Sequence, residues 1–270
     1  MPLRTSRRRA FRANLESCLT TPLPDTIAEA RRVAEAAETE KLGVKLLGGA
    51  GIHIHSPSAQ RAPLKRKYGD LDYAIPTKDR KRVLAFFPSL GYEANERFNL
   101  MQGDRRLYFY DGQNGRQVDI FIDVMRMSHV IDLRDRLGHA GPCASPSDLL
   151  LSKLQIYEVN RKDLVDLTAL LLDHPIASND DEAIDPDYVA GLASDDWGLY
   201  RTLQANVEKL IATLGELDVD RELARGRVDQ LWRAVEARPK PLKWRARARV
   251  GDRMRWYELP EEVRSPYQPD

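Results

Sequence analysis

Two aspartates separated by one apolar residue, Asp70-Leu71-Asp72, are the residues of this chain best suited to chemistry. Side chains alternate faces along an extended strand, so this spacing puts both carboxylates on one side. Magnesium takes such hard oxygen donors from a protein and keeps other positions open for water and substrate phosphates, which suits metal-assisted phosphoryl or nucleotidyl transfer. A third acid, Asp119, stands inside the apolar run Val118-Asp119-Ile120, where an unpaired charge is costly. It is either a third metal ligand or a carboxylate at an exposed edge or paired with a cation such as Arg106 across a hairpin. Asp123 shares its face by the same alternation and is the reserve candidate for the third carboxylate. Upstream, Leu47-Gly48-Gly49 closes a short apolar run, and missing side chains let backbone N–H groups approach phosphate oxygens. No Gly-Lys-Ser/Thr follows it and no dinucleotide fingerprint is present, so the common ATPase and Rossmann readings fail on their own motifs.

The elements that must position these residues are legible in outline. Residues 26–41 are rich in Ala, Glu and Arg with Ile27, Ala30, Val33 and Ala34 at helical spacing, which predicts a helix ended by Gly43. Val44-Lys45-Leu46-Leu47 predicts a short strand stopped by a turn at Gly48-Gly49-Ala50-Gly51. After a polar loop through Lys67, residues 71–75 predict a second strand ended by Pro76, and residues 78–90 a helix stopped by Gly91. Residues 105–110 and 117–124 are β-rich runs joined by the hairpin connection Asp111-Gly112-Gln113-Asn114-Gly115. From Ser145, a helix cap followed by Pro146, the pattern turns helical, with further helices at about 161–173, 186–193, 196–213 and 219–237. The expected fold class is α/β (α+β): a core with a small mixed sheet, then an all-helical C-terminal region. The expected division is a basic arm over residues 1–25, a catalytic core over 26–140, a helical region over 141–237 and a basic, Trp-containing segment over 238–270.

The order strand, Gly-Gly, variable loop, Asp70-Leu71-Asp72 and a later Val118-Asp119-Ile120 strand resembles the polymerase-beta-type nucleotidyltransferase superfamily over residues 40–125. Ser145-Pro146-Ser147-Asp148-Leu149-Leu150-Leu151-Ser152-Lys153-Leu154, followed by Arg161-Lys162-Asp163-Leu164-Val165-Asp166-Leu167, resembles the Lys and Lys-Asp-x-x-Asp-Leu motifs of AbiEii-like and MenT-like toxin nucleotidyltransferases. The resemblance implies a nucleotidyltransferase in which Asp70, Asp72 and Asp119 hold two Mg2+ ions and a nucleoside triphosphate gives up its NMP with release of pyrophosphate. It implies further that the backbone of Gly48 and Gly49 cradles the β- and γ-phosphates, and that Lys153 offers positive charge to the triphosphate, positioned by Asp166 or Asp163. The superfamily often carries Ser at the second glycine; Gly49 has no hydroxyl to offer, and the spacing from Lys153 to Asp163 is shorter than in some toxin relatives. From the residues alone, Lys153 can also be a solvated helix-face residue, and Asp163 and Asp166 can pair with Lys162 and Arg161.

Lys65-Arg66-Lys67 directly precedes the acidic pair, so Lys67 and its neighbours can reach a triphosphate or an anionic acceptor, or form a solvated loop. His53-Ile54-His55 suits zinc by residue type, but no Cys or further His stands at a supporting spacing, so the pair is expected to line the nucleotide loop or be partly exposed. The near balance of 42 basic against 41 acidic residues hides segregation. Arg4, Arg7, Arg8, Arg9 and Arg12 make the N-terminal arm basic; residues 238–256 interleave eight basic residues with Trp244 and Trp256, while residues 173–196 contain no Lys or Arg. The C-terminal stretch suits phosphate contacts and base stacking, or is an amphipathic segment whose tryptophans pack on the core. The acceptor classes left open are a tRNA 3′ end or other RNA, a small hydroxylated molecule of antibiotic type, and a protein side chain; an antitoxin protein is a candidate partner. A non-catalytic nucleotide-binding or partner-binding protein is the alternative. A metal-dependent nuclease also uses clustered acids but leaves Gly48-Gly49 and Lys153 unexplained. With two cysteines, no apolar run long enough for a membrane helix and no secretory pattern, a cytoplasmic protein is expected.

Overall fold

In the computed structural model, which describes residues 21–259, Asp72 and Asp119 lie on two neighbouring strands of one mixed sheet. The chain runs α1 (Thr26–Thr39), β1 (Lys45–Leu46), α2 (Gly48–His55), β2 (Leu71–Ile75), α3 (Arg80–Ser89), β3 (Glu93–Ala94), α4 (Glu96–Gln102), β4 (Arg106–Asp111) and β5 (Arg116–Ile122). A two-stranded ribbon, β6 (Val124–Arg126) with β7 (Val130–Asp132), leads into the helices α5 (Pro146–Leu154), α6 (Arg161–Asp173), α7 (Pro186–Asp195), α8 (Trp197–Leu214), α9 (Arg221–Ala237) and α10 (Leu242–Val250). The sheet order is β1-β2-β5-β4-β3; β2 and β5 are parallel and the other pairs antiparallel. This is the expected mixed α/β architecture with a helical C-terminal part.

The central strand β5 has Val118, Ile120, Phe121 and Ile122 all buried, so both its faces are covered and a charge within it must be accounted for. Helix α1 starts where Asp25 accepts a hydrogen bond from the Ala28 N–H (2.8 Å) and buries Ala30, Val33, Ala34 and Ala37 along one stripe. The Ser145 cap and Pro146 in the first turn open α5 as the sequence predicts, and α6 has the predicted bounds, held by a reciprocal capping box between Asn160 and Asp163. One continuous apolar cluster joins Leu46, Leu71 and Ile120 of the sheet to Leu149, Leu167, Leu203 and Val228 of the helices.

Three expectations change. Gly48-Gly49-Ala50-Gly51 is not a turn but the first turn of α2; Gly48 takes the left-handed φ of +60° that lets the chain leave β1 and enter the helix at once. Strand β3, helix α4 and the β6–β7 ribbon are additional, each too short to leave a periodic signal. Asp123 is not in line with the other acids: it lies beyond the end of β5 with φ +59°, and its carboxylate accepts from the backbone and the hydroxyl of Thr77, closing the turn after β2. The arginines of the N-terminal arm at 4, 7, 8, 9 and 12 and the last residues of the C-terminal segment lie outside the described residues. No helix among the described residues is long and apolar enough to cross a membrane.

Candidate active site

Parallel pairing of β2 with β5 sets Asp72 directly opposite Asp119, and equal registers on adjacent strands point to the same sheet face. Asp72 is half-buried, its carbonyl accepting from the Leu47 N–H (2.8 Å) while its carboxylate accepts from no described residue; Asp119 is buried, and Asp70 is exposed just before β2. Burial and the neighbouring Asp119 push the Asp72 carboxyl up to about 6, with Asp70 adding to the effect and Lys153 and Arg106 opposing it. Asp119 is also raised, by burial above all, against the hydrogen bonds of Arg106. The hairpin partner foreseen for Asp119 is thus present: the Arg106 guanidinium grips it with two N–H groups, Nε to Oδ1 at 2.6 Å and Nη2 to Oδ2, while its carbon lies 5.2 Å from the ring centres of Tyr108 and Phe121. The three carboxylates bring the hard oxygen donors and the negative charge that a divalent cation takes, but as they stand their oxygens do not gather into one ligand group; among the described residues His55, His174 and Glu182 do. A fit at the carboxylates requires Arg106 to yield part of its hold on Asp119.

The glycines close the other side. A Cβ on Gly48 would come within 2.1 Å of Asp72 Oδ2, and one on Gly49 within 2.3 Å of Arg66 Nη2 and 2.9 Å of Asp166 Oδ2. Only residues without side chains let the start of α2 lie against Asp72 and the Arg66–Asp166 pair. No side chain caps this helix, so its leading N–H groups are available to an anion.

Lys153 extends from α5 to α6, its Nζ 2.7 Å from Asp163 Oδ1 and 3.7 Å from Asp166 Oδ2. Although burial lowers its affinity for a proton, Asp163, Asp166 and Asp72 together raise its pKa, so it stays a cation. It is therefore not a solvated helix-face residue. Nor do the two α6 acids pair with their sequence neighbours: Asp163 holds Lys153 and the Asn160 N–H, Arg161 reaches Glu216, and Asp166 is forked by Arg66, with Nε to Oδ1 at 2.8 Å. Arg66 is the basic residue that enters the centre, its guanidinium 4.0 Å over the Tyr68 ring. Lys67 does not; it is exposed, its carbonyl accepts from Arg66 Nη1, and it lines, with Lys65 and His53, a cleft of about 580 Å³. The sequence singled out the basic triplet but not which member turns inward, because Asp166, which decides it, lies 100 residues away.

On the Arg106 side a second cleft of about 220 Å³ opens between Phe98, Arg105, Arg106, Arg126 and Met127. Trp244 and Trp256 pack on the helices: Trp244 Nε1 donates to the Ala193 carbonyl (3.0 Å), and Trp256 donates to Thr202 (3.2 Å) and meets the Trp197 ring edge-on. They are anchors for the C-terminal segment. His53, within α2, lies edge-on to Tyr68, while His55 turns away to His174. No protein-family model and no curated protein sequence matches this chain.

Proposed function

We propose that this chain is a magnesium-dependent nucleotidyltransferase that moves an NMP from an NTP to an acceptor hydroxyl with release of pyrophosphate. The observation that carries the proposal is the register pairing of Asp72 with Asp119 on parallel strands, with Asp72 against the side-chain-free start of α2. Asp70, Asp72 and Asp119 would hold the magnesium, which when bound supplies positive charge to the phosphates and acidifies a bound hydroxyl. The leading N–H groups of α2 at Gly48 and Gly49 donate to anionic phosphate oxygens, and protonated Lys153, oriented by Asp163 and Asp166, adds charge to the triphosphate side. The acceptor oxygen attacks the α-phosphorus, the bond to the β-phosphate oxygen breaks, and the hydroxyl proton passes to solvent. Of the cations at the second cleft, Arg106 is held by Asp119 and Arg105 lies beside Asp104, and Glu258 lines the cleft as well, so Arg126 is what supports an anionic acceptor there; RNA, a tRNA 3′ end included, is the acceptor class to test first, ahead of a small hydroxylated molecule or a protein side chain.

Incubation with each of four α-labelled NTPs, Mg2+ and a cell extract separated into RNA, protein and small molecules tests this. Label is expected in RNA and absent with the Asp72→Asn variant; label in no fraction refutes transfer, and label in protein or small molecules refutes the RNA acceptor alone. One observation favours a second reading, a protein that binds nucleotide or a partner without transfer: Arg106 already neutralises Asp119. That reading predicts nucleotide binding with no Mg2+ dependence.

A further inference from the structure

His55 and His174 stand 119 residues apart in sequence, yet their Nδ1 and Nε2 atoms lie 3.3 Å apart. Two nitrogens bound to one tetrahedral ion at zinc–nitrogen distances of about 2.0–2.1 Å are separated by about 3.3 Å. The pair has the other attributes of a metal site. His174 Nδ1 lies 3.0 Å from the Glu182 backbone carbonyl, which fixes the proton on Nδ1 and leaves the Nε2 lone pair for a ligand. The Glu182 carboxylate completes a set of three donor atoms that all lie within 4.8 Å of one another. Glu182 is held in place by a closed loop: Ile184 N–H donates to the Pro175 carbonyl (2.9 Å), Ala177 N–H to Ile184 (3.1 Å) and Ala183 N–H to Asn179 (2.9 Å). His55 ends α2 and His174 caps the end of α6, so two helix C-termini, whose partial charge is negative, converge on the same point. A cleft lined by His55, His139, Asp181 and Glu182 gives the cluster a path from solvent and room for a water as fourth ligand.

We infer that His55, His174 and Glu182 form a zinc site, separate from the carboxylate centre, that ties the end of α2 to the end of α6 and to the 175–184 loop. Two imidazoles and one carboxylate are a donor set that zinc takes and magnesium does not. The tie pins both helices that carry the candidate active site, α2 with Gly48 and Gly49 and α6 with Asp163 and Asp166.

Titration of the metal-stripped full-length chain with Co2+, followed by displacement with Zn2+, tests the site by a readout independent of any enzymatic activity. Intense visible bands of tetrahedral cobalt are expected at one equivalent, bleached by one equivalent of Zn2+, with a rise in melting temperature on Zn2+ addition. His174→Gln and His55→Gln are expected to weaken Zn2+ binding at least about 100-fold, and Glu182→Gln, at an exposed position that does not threaten folding, at least about 10-fold. His53→Gln and Asp72→Asn are expected to bind as the unaltered chain does. Absence of the bands in the unaltered chain overturns the proposal and leaves the histidines as a hydrogen-bonded pair. Binding that survives Glu182→Gln and His174→Gln undiminished, or that is lost in Asp72→Asn, overturns it as well, the last by placing the ion at the carboxylates.

Discussion

Asp72 is the residue whose state reports most directly on the centre. Its carboxyl is raised to about 6 by burial and by Asp119, so between the ordinary value near 4 and about 6 the folded chain keeps a proton that the unfolded chain has released. Without divalent cations, stability from this group is therefore present at low pH and lost as pH rises through that window, by up to about 3 kcal/mol. Asp72→Asn is expected to remove the share of that fall that belongs to Asp72, leaving that of Asp119: in EDTA the variant matches the unaltered chain at pH 4 and exceeds it at pH 7, as urea denaturation at the two values measures. An equal pH dependence in both proteins would show that burial and Asp119 do not raise the Asp72 carboxyl. Arg106 makes the complementary case. Removing it leaves Asp119 buried and unpaired, so Arg106→Gln is expected to cost about 3–5 kcal/mol in EDTA and to gain more melting temperature from Mg2+ than the unaltered chain does. A variant that Mg2+ fails to restore would mean that Asp119 is no metal ligand. At this scale the acids were legible because a charge in an apolar strand is conspicuous. Arg66, His174 and Glu182 were not, since what gives each its role is a partner about a hundred or more residues away, or on a loop with no pattern of its own.

Helix α2 is the element on which the site depends, and it was read as a turn because four residues in which three are glycine have the poorest helix propensity. What overrides propensity is packing: a side chain at Gly48 or Gly49 would strike Asp72, Arg66 or Asp166. Gly48→Ala is expected to cost about 1–3 kcal/mol from the left-handed backbone alone and to displace the Asp72 carboxylate as well, with loss of Mg2+ binding. Gly115, in the β4–β5 turn, has φ +65° with open space around it, so Gly115→Ala is expected to carry a similar stability cost and leave Mg2+ binding unchanged. Isothermal titration with both variants distinguishes a site effect from a backbone effect. Helices α6 and α9 were legible by contrast, because Asn160 and Asp220 cap long amphipathic runs, whereas two-residue strands such as β3 are created by the sheet edge that accepts them.

Across the whole molecule, the sheet and the C-terminal helices share one apolar core, and the charged network follows the same path. Arg66 before β2, Asp166 on α6 and Lys153 on α5 join the carboxylates of β2 and β5 to the helical layer. Sequence patterning separated an α/β part from a helical part; that Lys153 of the helical part serves the acids of the other came only from the family resemblance, and Arg66 reaching Asp166 was not foreseen. The most direct measurement is of the fate of label from α- and γ-labelled NTP, incubated with Mg2+ and total RNA alongside Asp72→Asn and Asp119→Asn. The α-label is expected to become covalently attached to RNA and the γ-label to leave as pyrophosphate, both lost in each variant. Transfer of the γ-label, transfer of neither label, or undiminished transfer by either variant would contradict nucleotidyl transfer at the Asp72–Asp119 pair.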